Sequence, residues 1–155
     1  MPPPTGTPRL SAVLPLCRYA ATAAAAARVA VGVAALTWPS VPARPWVGAS
    51  RDELTVEVLG RALGARDLAL GLGTLAATRN GSSGPWPAGA LYAAGALSDA
   101  LDVTITVAAW PRLPRVTRWL VAGSAASAAI AGAAGALAAF RPSPRPAAAE
   151  LPQIP

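Results

Sequence analysis

The sequence predicts an all-α protein, a four-transmembrane-helix bundle running antiparallel, up and down, between disordered Pro-rich termini. Three observations predict it. Four long apolar segments are separated by Pro- and Gly-rich breaks, only 13% of the residues are charged, and the tryptophans gather at segment ends. Soluble domains carry about 25% charged residues. With 54% apolar residues, no His and one Cys in 155 residues, the chain suits one membrane-embedded domain over 10–140, with tails at 1–9 and 141–155.

The first tail, rich in proline from Pro2 to Pro8, cannot hold a regular helix and reads as disordered. The first helix, 18–38, is an Ala/Val segment of spanning length, since ~20 residues at ~1.5 Å rise cross a ~30 Å hydrocarbon layer. A basic start before an apolar run is also the pattern of a cleaved signal peptide. This run exceeds the usual apolar core of one and contains Arg28, which favours a retained anchor. Pro39, Pro42 and Pro45 then stop the helix and form a loop.

The second helix, 51–78, starts at a capping box in which Ser50 and Glu53 exchange hydrogen bonds. Glu57 sits one turn before Arg61, at the surface, and can pair with it. Within the helix, Gly60, Gly64, Asp67 and Gly71 recur at helical steps, giving a nearly bare face against which another helix can lie closely. The turn at 79–85 is short enough to make helices two and three a hairpin. The third helix, 86–110, places Pro87 in its first turn and carries Gly95, Asp99, Asp102 and Thr106 on one face, with Gly95 expected to be a helix-packing glycine like Gly60, Gly64 and Gly71. The fourth, 116–140, is mostly Ala, Gly and Ser; Gly123, Ser127, Ala131, Ala134 and Ala138 form its expected packing face. The remainder is Pro-rich and reads as disordered.

Trp38, Trp46, Trp86, Trp110 and Trp119 fall at or between the helix ends, as do Tyr19 and Phe140. Indole favours the headgroup level, where the ring is half apolar and its N–H stays wet. Arginines on the two sides balance, so the positive-inside count is a tie; those preceding the first helix favour both termini inside.

The candidate site is an intramembrane polar layer of Arg28, Arg66, Asp67, Asp99 and Asp102. If the helices alternate in direction, Arg28, Arg66, Asp67 and Asp99 all lie ~15 Å inside the bilayer, where an unpaired charge costs at least ~2.5 kcal/mol. Pairing is then close to compulsory, with Arg28 or Arg66 serving Asp99 and Arg61 or Arg66 serving Asp102. Such pairs would fix which helix packs where. The same layer would also suit a proton, an ion or a small headgroup, and with Arg61 at the surface it holds one surplus acid, the charge state that a proton-coupled site needs.

Other chemistries lack their parts. All thirteen basic residues are Arg, scattered without a basic stripe or stacking platform, so nucleic acid is not an expected partner. Cys17 is alone, which excludes a disulfide or CxxC site. Asp99-Ala100-Leu101-Asp102 has the DxxD spacing by which membrane prenyl and phosphatidyl transferases hold magnesium and diphosphate, but their further Asp motifs are missing. There is no nucleophile beside a base and no phosphate loop, so neither catalysis, metal nor cofactor is expected. The expected partners are the lipid bilayer and a second copy or another membrane protein against the glycine faces.

The stretch Gly64-Ala65-Arg66-Asp67-Leu68-Ala69-Leu70-Gly71-Leu72, followed after a short loop by Gly95-Ala96-Leu97-Ser98-Asp99-Ala100-Leu101-Asp102, resembles a group of small four-helix membrane proteins of high-GC bacteria, a domain-of-unknown-function family. The resemblance implies a four-pass bundle in the cytoplasmic membrane, with Arg66-Asp67 and the Asp99/Asp102 pair as characteristic positions. It implies no activity. A more distant similarity to four-helix membrane proteins of the DoxX type rests on length and helix count. The sequence therefore leads to a non-catalytic structural or accessory membrane component, or to a small transporter or ligand-binding protein that uses the charged layer.

Overall fold

Proline and capping chemistry set the helix boundaries in the computed structural model, which describes residues 8–47, 52–80 and 87–140, with side chains at 13–44, 52–80 and 87–140. Every long described segment is helical: α1 Pro8–Thr37, α2 Ser40–Val47, α3 Glu53–Asn80, α4 Ala88–Ala108 and α5 Arg115–Phe140, with a 3-10 turn at Trp110–Arg112 between the last two. The two expected tails lie almost wholly outside the described residues.

Helix α1 starts ten residues before the expected Arg18. Pro8 occupies its first position, where a missing N–H costs nothing and the fixed φ suits the helix. Pro15 falls inside the early part of the same helix, at the cost of a single ladder bond. Trp38 then closes α1 on the Ala34 carbonyl at 2.7 Å, and Pro39 diverts the chain. The expected loop is instead helical. Ser40–Val47 forms α2, with Pro42 in the first turn, where no intrahelical N–H bond is due. Its Ala43 is buried, so the short helix packs onto the bundle instead of hanging from it.

At the start of α3 the described cap is Asp52. The Asp52 carboxylate accepts from the Thr55 amide at 2.8 Å and from the Thr55 hydroxyl at 2.6 Å, which satisfies an amide that the helix leaves without a partner. Ser50 lies outside the described residues. Pro87 caps α4 instead of entering its first turn, and Ala109 ends that helix near φ −88°, ψ 0°. At the α4–α5 corner, Trp110 meets Trp119 edge to face at 4.9 Å, and the Arg118 guanidinium lies 5.0 Å from the Trp110 ring centre.

The four long helices alternate in direction. Gly71, Gly64 and Gly60 on α3 face Ala25, Gly32 and Pro39 in turn, while Gly89, Tyr92 and Ala96 on α4 face Phe140, Gly135 and Gly132. The closest pairings are α1 with α3 and α4 with α5, with α1 also against α5; α3 and α4, expected as a hairpin, are antiparallel neighbours in looser contact. The α5 packing face also differs from expectation. Of the expected residues Ala138 is buried, joined by Ala125, Gly132, Gly135 and Ala136, whereas Ser127 is exposed and Gly123 borders open space.

The bundle is small-residued within and large and apolar without. Its buried hydrophobics are nearly all alanine, joined by Thr74, Asp99, Asp102 and Thr106, while Leu59, Leu72, Leu101, Ile105, Ile130 and Leu137 face outward. A water-soluble bundle has the reverse arrangement, because apolar burial drives its packing. Among the described residues, three helices are long and apolar enough to cross a membrane, Val13–Thr37, Ala88–Ala108 and Arg115–Phe140. Four had been expected. Helix α3 has the length but carries Glu53, Glu57, Arg61, Arg66, Asp67 and Arg79, which lowers its mean apolarity.

Candidate functional site

Helix register brings the five charges of the expected layer into one network. Arg28 lies on α1, Arg66 and Asp67 on α3, and Asp99 and Asp102 one turn apart on α4. The Arg28 guanidinium donates through Nη1 to Asp67 Oδ1 at 2.8 Å, and through Nη2 to the Gly95 carbonyl at 2.8 Å while pairing with Asp99. Arg66 grips Asp102 with both terminal nitrogens, at 3.0 and 2.8 Å, and reaches back to Asp67 at 3.3 Å. The order is an alternating string, Asp99, Arg28, Asp67, Arg66, Asp102. Each arginine thus lies between two carboxylates, and Asp67 bridges the two arginines.

Both partnerships read from the sequence are present, with the open choices resolved as Arg28 to Asp99 and Arg66 to Asp102. Arg61 takes no part. It pairs with Glu57 on an exposed face of α3, where an ion pair adds little stability. The network side chains are largely enclosed, with 10–14% of Arg28, Asp67, Asp99 and Asp102 exposed, while Arg66 is 33% exposed. The two-pronged Arg66–Asp102 contact fixes orientation as well as distance, because the planar fork matches a carboxylate.

The glycines divide into two kinds. A Cβ on Gly64 would fall 2.8 Å from the Ala35 Cβ, one on Gly71 2.7 Å from the Ala25 carbonyl oxygen, and one on Gly60 would overlap the Pro39 carbonyl. These three bring α1 and the Pro39 corner onto α3, which carries Asp67 within reach of Arg28. Gly95 is different. A Cβ there would meet nothing closer than the Arg28 Nε at 3.6 Å, so Gly95 serves through its carbonyl and not by close helix packing. The α3 glycine face is filled inside the bundle by α1 and the Pro39 corner.

A cleft of about 290 Å³ opens onto the network. All five charged side chains line it, with Val31 of α1, Pro42 of α2, and Ser124 and Ala128 of α5 among the other walls. Among the described residues, no three His, Cys, Asp or Glu side chains stand together as a metal ion would require.

No family model, curated protein or solved structure matches the chain. The likeness to the high-GC membrane family therefore rests on its two motifs alone. Sequence reading had missed Thr22 and Tyr92, whose hydroxyls meet at 2.9 Å below the network. Tyr92 lies seven residues before Asp99, two helical turns along one face, and that spacing was the available signal.

Proposed function

We propose that the chain is a non-catalytic structural or accessory protein of the cytoplasmic membrane, crossing it four times, and that its charged network is the lock that fixes which helices are neighbours. The observation that carries this reading is the mutual pairing of Arg28, Arg66, Asp67, Asp99 and Asp102 across α1, α3 and α4. Buried ionic groups add little net stability compared with apolar packing, yet removing one partner is costly, so they penalise wrong arrangements. The lipid-facing shell of Leu, Ile and Val supports insertion, and the membrane's identity rests on the resemblance.

Helix α3 is the fourth span in this reading. Arg66 and Asp67 lower its apolarity, but both are neutralised by neighbours, so the bilayer meets far less charge than the sequence displays. Glu53, Glu57 and Arg61 fall in its first turns, at the end shared with Pro39 and Trp38. Single cysteines at Arg44→Cys or Arg79→Cys, in a Cys17→Ser background, test this directly. An impermeant maleimide should label them from opposite sides of the membrane. Labelling from one side would remove α3 as a span and sink the reading.

The cleft favours a second reading, a small proton- or ion-coupled transporter or ligand-binding protein. A stabilising lock requires no open space, yet about 290 Å³ adjoins this one.

A further inference from the structure

The cleft is one of three cavities that succeed one another through the bundle. At the opposite end, a cavity of about 510 Å³ is bordered by Arg18, Thr22, Thr78 and Tyr92. Between the two lies a pocket of about 20 Å³ walled by Thr74, Tyr92, Gly95, Arg28 and Asp99. Tyr92 is common to the end cavity and the small pocket, and Arg28 and Asp99 are common to the small pocket and the cleft. The small pocket is about the size that holds one water, and its hydroxyl and carboxylate walls offer such a water partners.

We propose that this succession is a proton path through the bundle, with Asp99 as its central relay and the Thr22–Tyr92 hydroxyl pair as its gate. The inference rests on the four-span reading, since only then do the two outer cavities face opposite sides of a membrane. Three carboxylates and two guanidiniums leave the network one negative charge, and a low-dielectric surround favours its neutralisation by one monocation. The charged or titratable groups around Asp99 are Arg28 from α1, Arg66 and Asp67 from α3, and Asp102 and Tyr92 from α4; the cleft walls from α2 and α5 supply none. Geometry selects the proton. A pocket of one-water size has no room for a hydrated metal cation, whereas a proton hops along hydrogen bonds without any ion passing.

The steps balance. Thr22 and Tyr92 share a hydrogen bond in which either oxygen can donate. A hydronium in the end cavity gives its proton to one hydroxyl as that pair releases a proton to the pocket water. The water protonates the Asp99 carboxylate, forming an O–H bond and leaving Arg28 held by Asp67 and the Gly95 carbonyl. Release of that proton to water in the cleft restores the carboxylate and its pair with Arg28. The net change is one proton moved.

The full chain, purified and sealed into potassium-loaded liposomes containing pyranine, tests the path when valinomycin sets an inside-negative potential. The lumen should acidify faster than in empty vesicles, equally in sodium and in choline medium. Asp99→Asn should return the rate to that of empty vesicles, and Tyr92→Phe, which keeps the ring and removes the gate hydroxyl, should remove most of the flux. Gly123→Ala, beside open space, should conduct like the parent. A parent rate equal to empty vesicles, or undiminished flux in a folded Tyr92→Phe variant, overturns the path. Where Asp99→Asn fails to yield a monodisperse protein, Tyr92→Phe decides alone. Opposite-side labelling of Arg44→Cys and Arg79→Cys with no flux rejects the path and leaves the four-span reading; same-side labelling rejects both.

Discussion

Gly32 and Gly64 face each other where α1 crosses α3, each leaving no room for a side chain on the other. A Cβ added to Gly32 would lie 2.8 Å from the Gly64 carbonyl oxygen, and one added to Gly64 would lie 3.0 Å from the Gly32 carbonyl oxygen. Both obstacles are backbone, which cannot rotate aside. This crossing sets the distance from which Arg28, one turn before Gly32, reaches Asp67, just beyond Gly64. Gly64→Val should therefore cost about 1–3 kcal/mol by overpacking and loosen the charge network with it. Thermal unfolding in mild detergent measures the cost. A variant that melts with the parent would show that the two helices do not meet here.

The two arginines should differ in what they hold. Arg28 is largely enclosed and serves Asp67, Asp99 and the Gly95 carbonyl, so Arg28→Gln should cost about 3–5 kcal/mol, the usual penalty for leaving a buried charge without its partner. Arg66 is one-third exposed, and water can take over part of its role, so Arg66→Gln should cost less. Arg28→Gln combined with Asp99→Asn should recover most of the single loss, because neither member then remains as a lone charge. Additive losses in that double variant would dissolve the pair as a packing unit.

What the sequence made legible was periodic, and what it hid was local or degenerate. Asp99 and Asp102 lie one turn apart, and Arg28 lies one turn before Gly32, so a shared layer followed from spacing and from the cost of lone charge in lipid. The choice between Arg28 and Arg66 as partner for Asp99 needed the actual crossing of α1 over α3. Proline misled at both ends of α1, because Pro8 and Pro42 occupy first-turn positions that need no N–H. In α5 nearly every residue is small, so the stripe through Gly123 and Ser127 was no better marked than the stripe through Ala125 and Gly132 that packs. Three spans are plain in hydropathy. In α3 a hydropathy sum counts Arg66 and Asp67 in full although each has a partner.

Gly95 separates a carbonyl role from a close-packing role. Its nearest neighbour to an added Cβ is the Arg28 Nε at 3.6 Å, an ordinary contact, and its carbonyl remains in place whatever the side chain. Gly95→Ala should change stability by no more than about 0.5 kcal/mol beyond the helix-propensity gain of about 1 kcal/mol. Gly71→Ala, whose Cβ meets backbone at 2.7 Å, should destabilise. Parallel thermal melts in one detergent provide the comparison. Equal losses at the two positions would return Gly95 to the group of packing glycines.

The tryptophans at one end of the bundle report depth. Trp38 ends α1 and Trp119 begins α5 beside Trp110, at the same end because α1 and α5 run in opposite directions; both Trp38 and Trp119 are well exposed. In a bilayer their rings belong at headgroup level. With Trp46→Phe and Trp86→Phe removing the other two indoles, emission in liposomes should be quenched more strongly by lipids brominated near the headgroup than by lipids brominated near the chain terminus. The contrast should shrink in a further Trp38→Phe, Trp119→Phe variant, which leaves only the half-buried Trp110. Stronger quenching from the chain terminus would place this end of the bundle at the membrane midplane. That depth is incompatible with α1 and α5 crossing side by side, and with a charge network held at mid-bilayer.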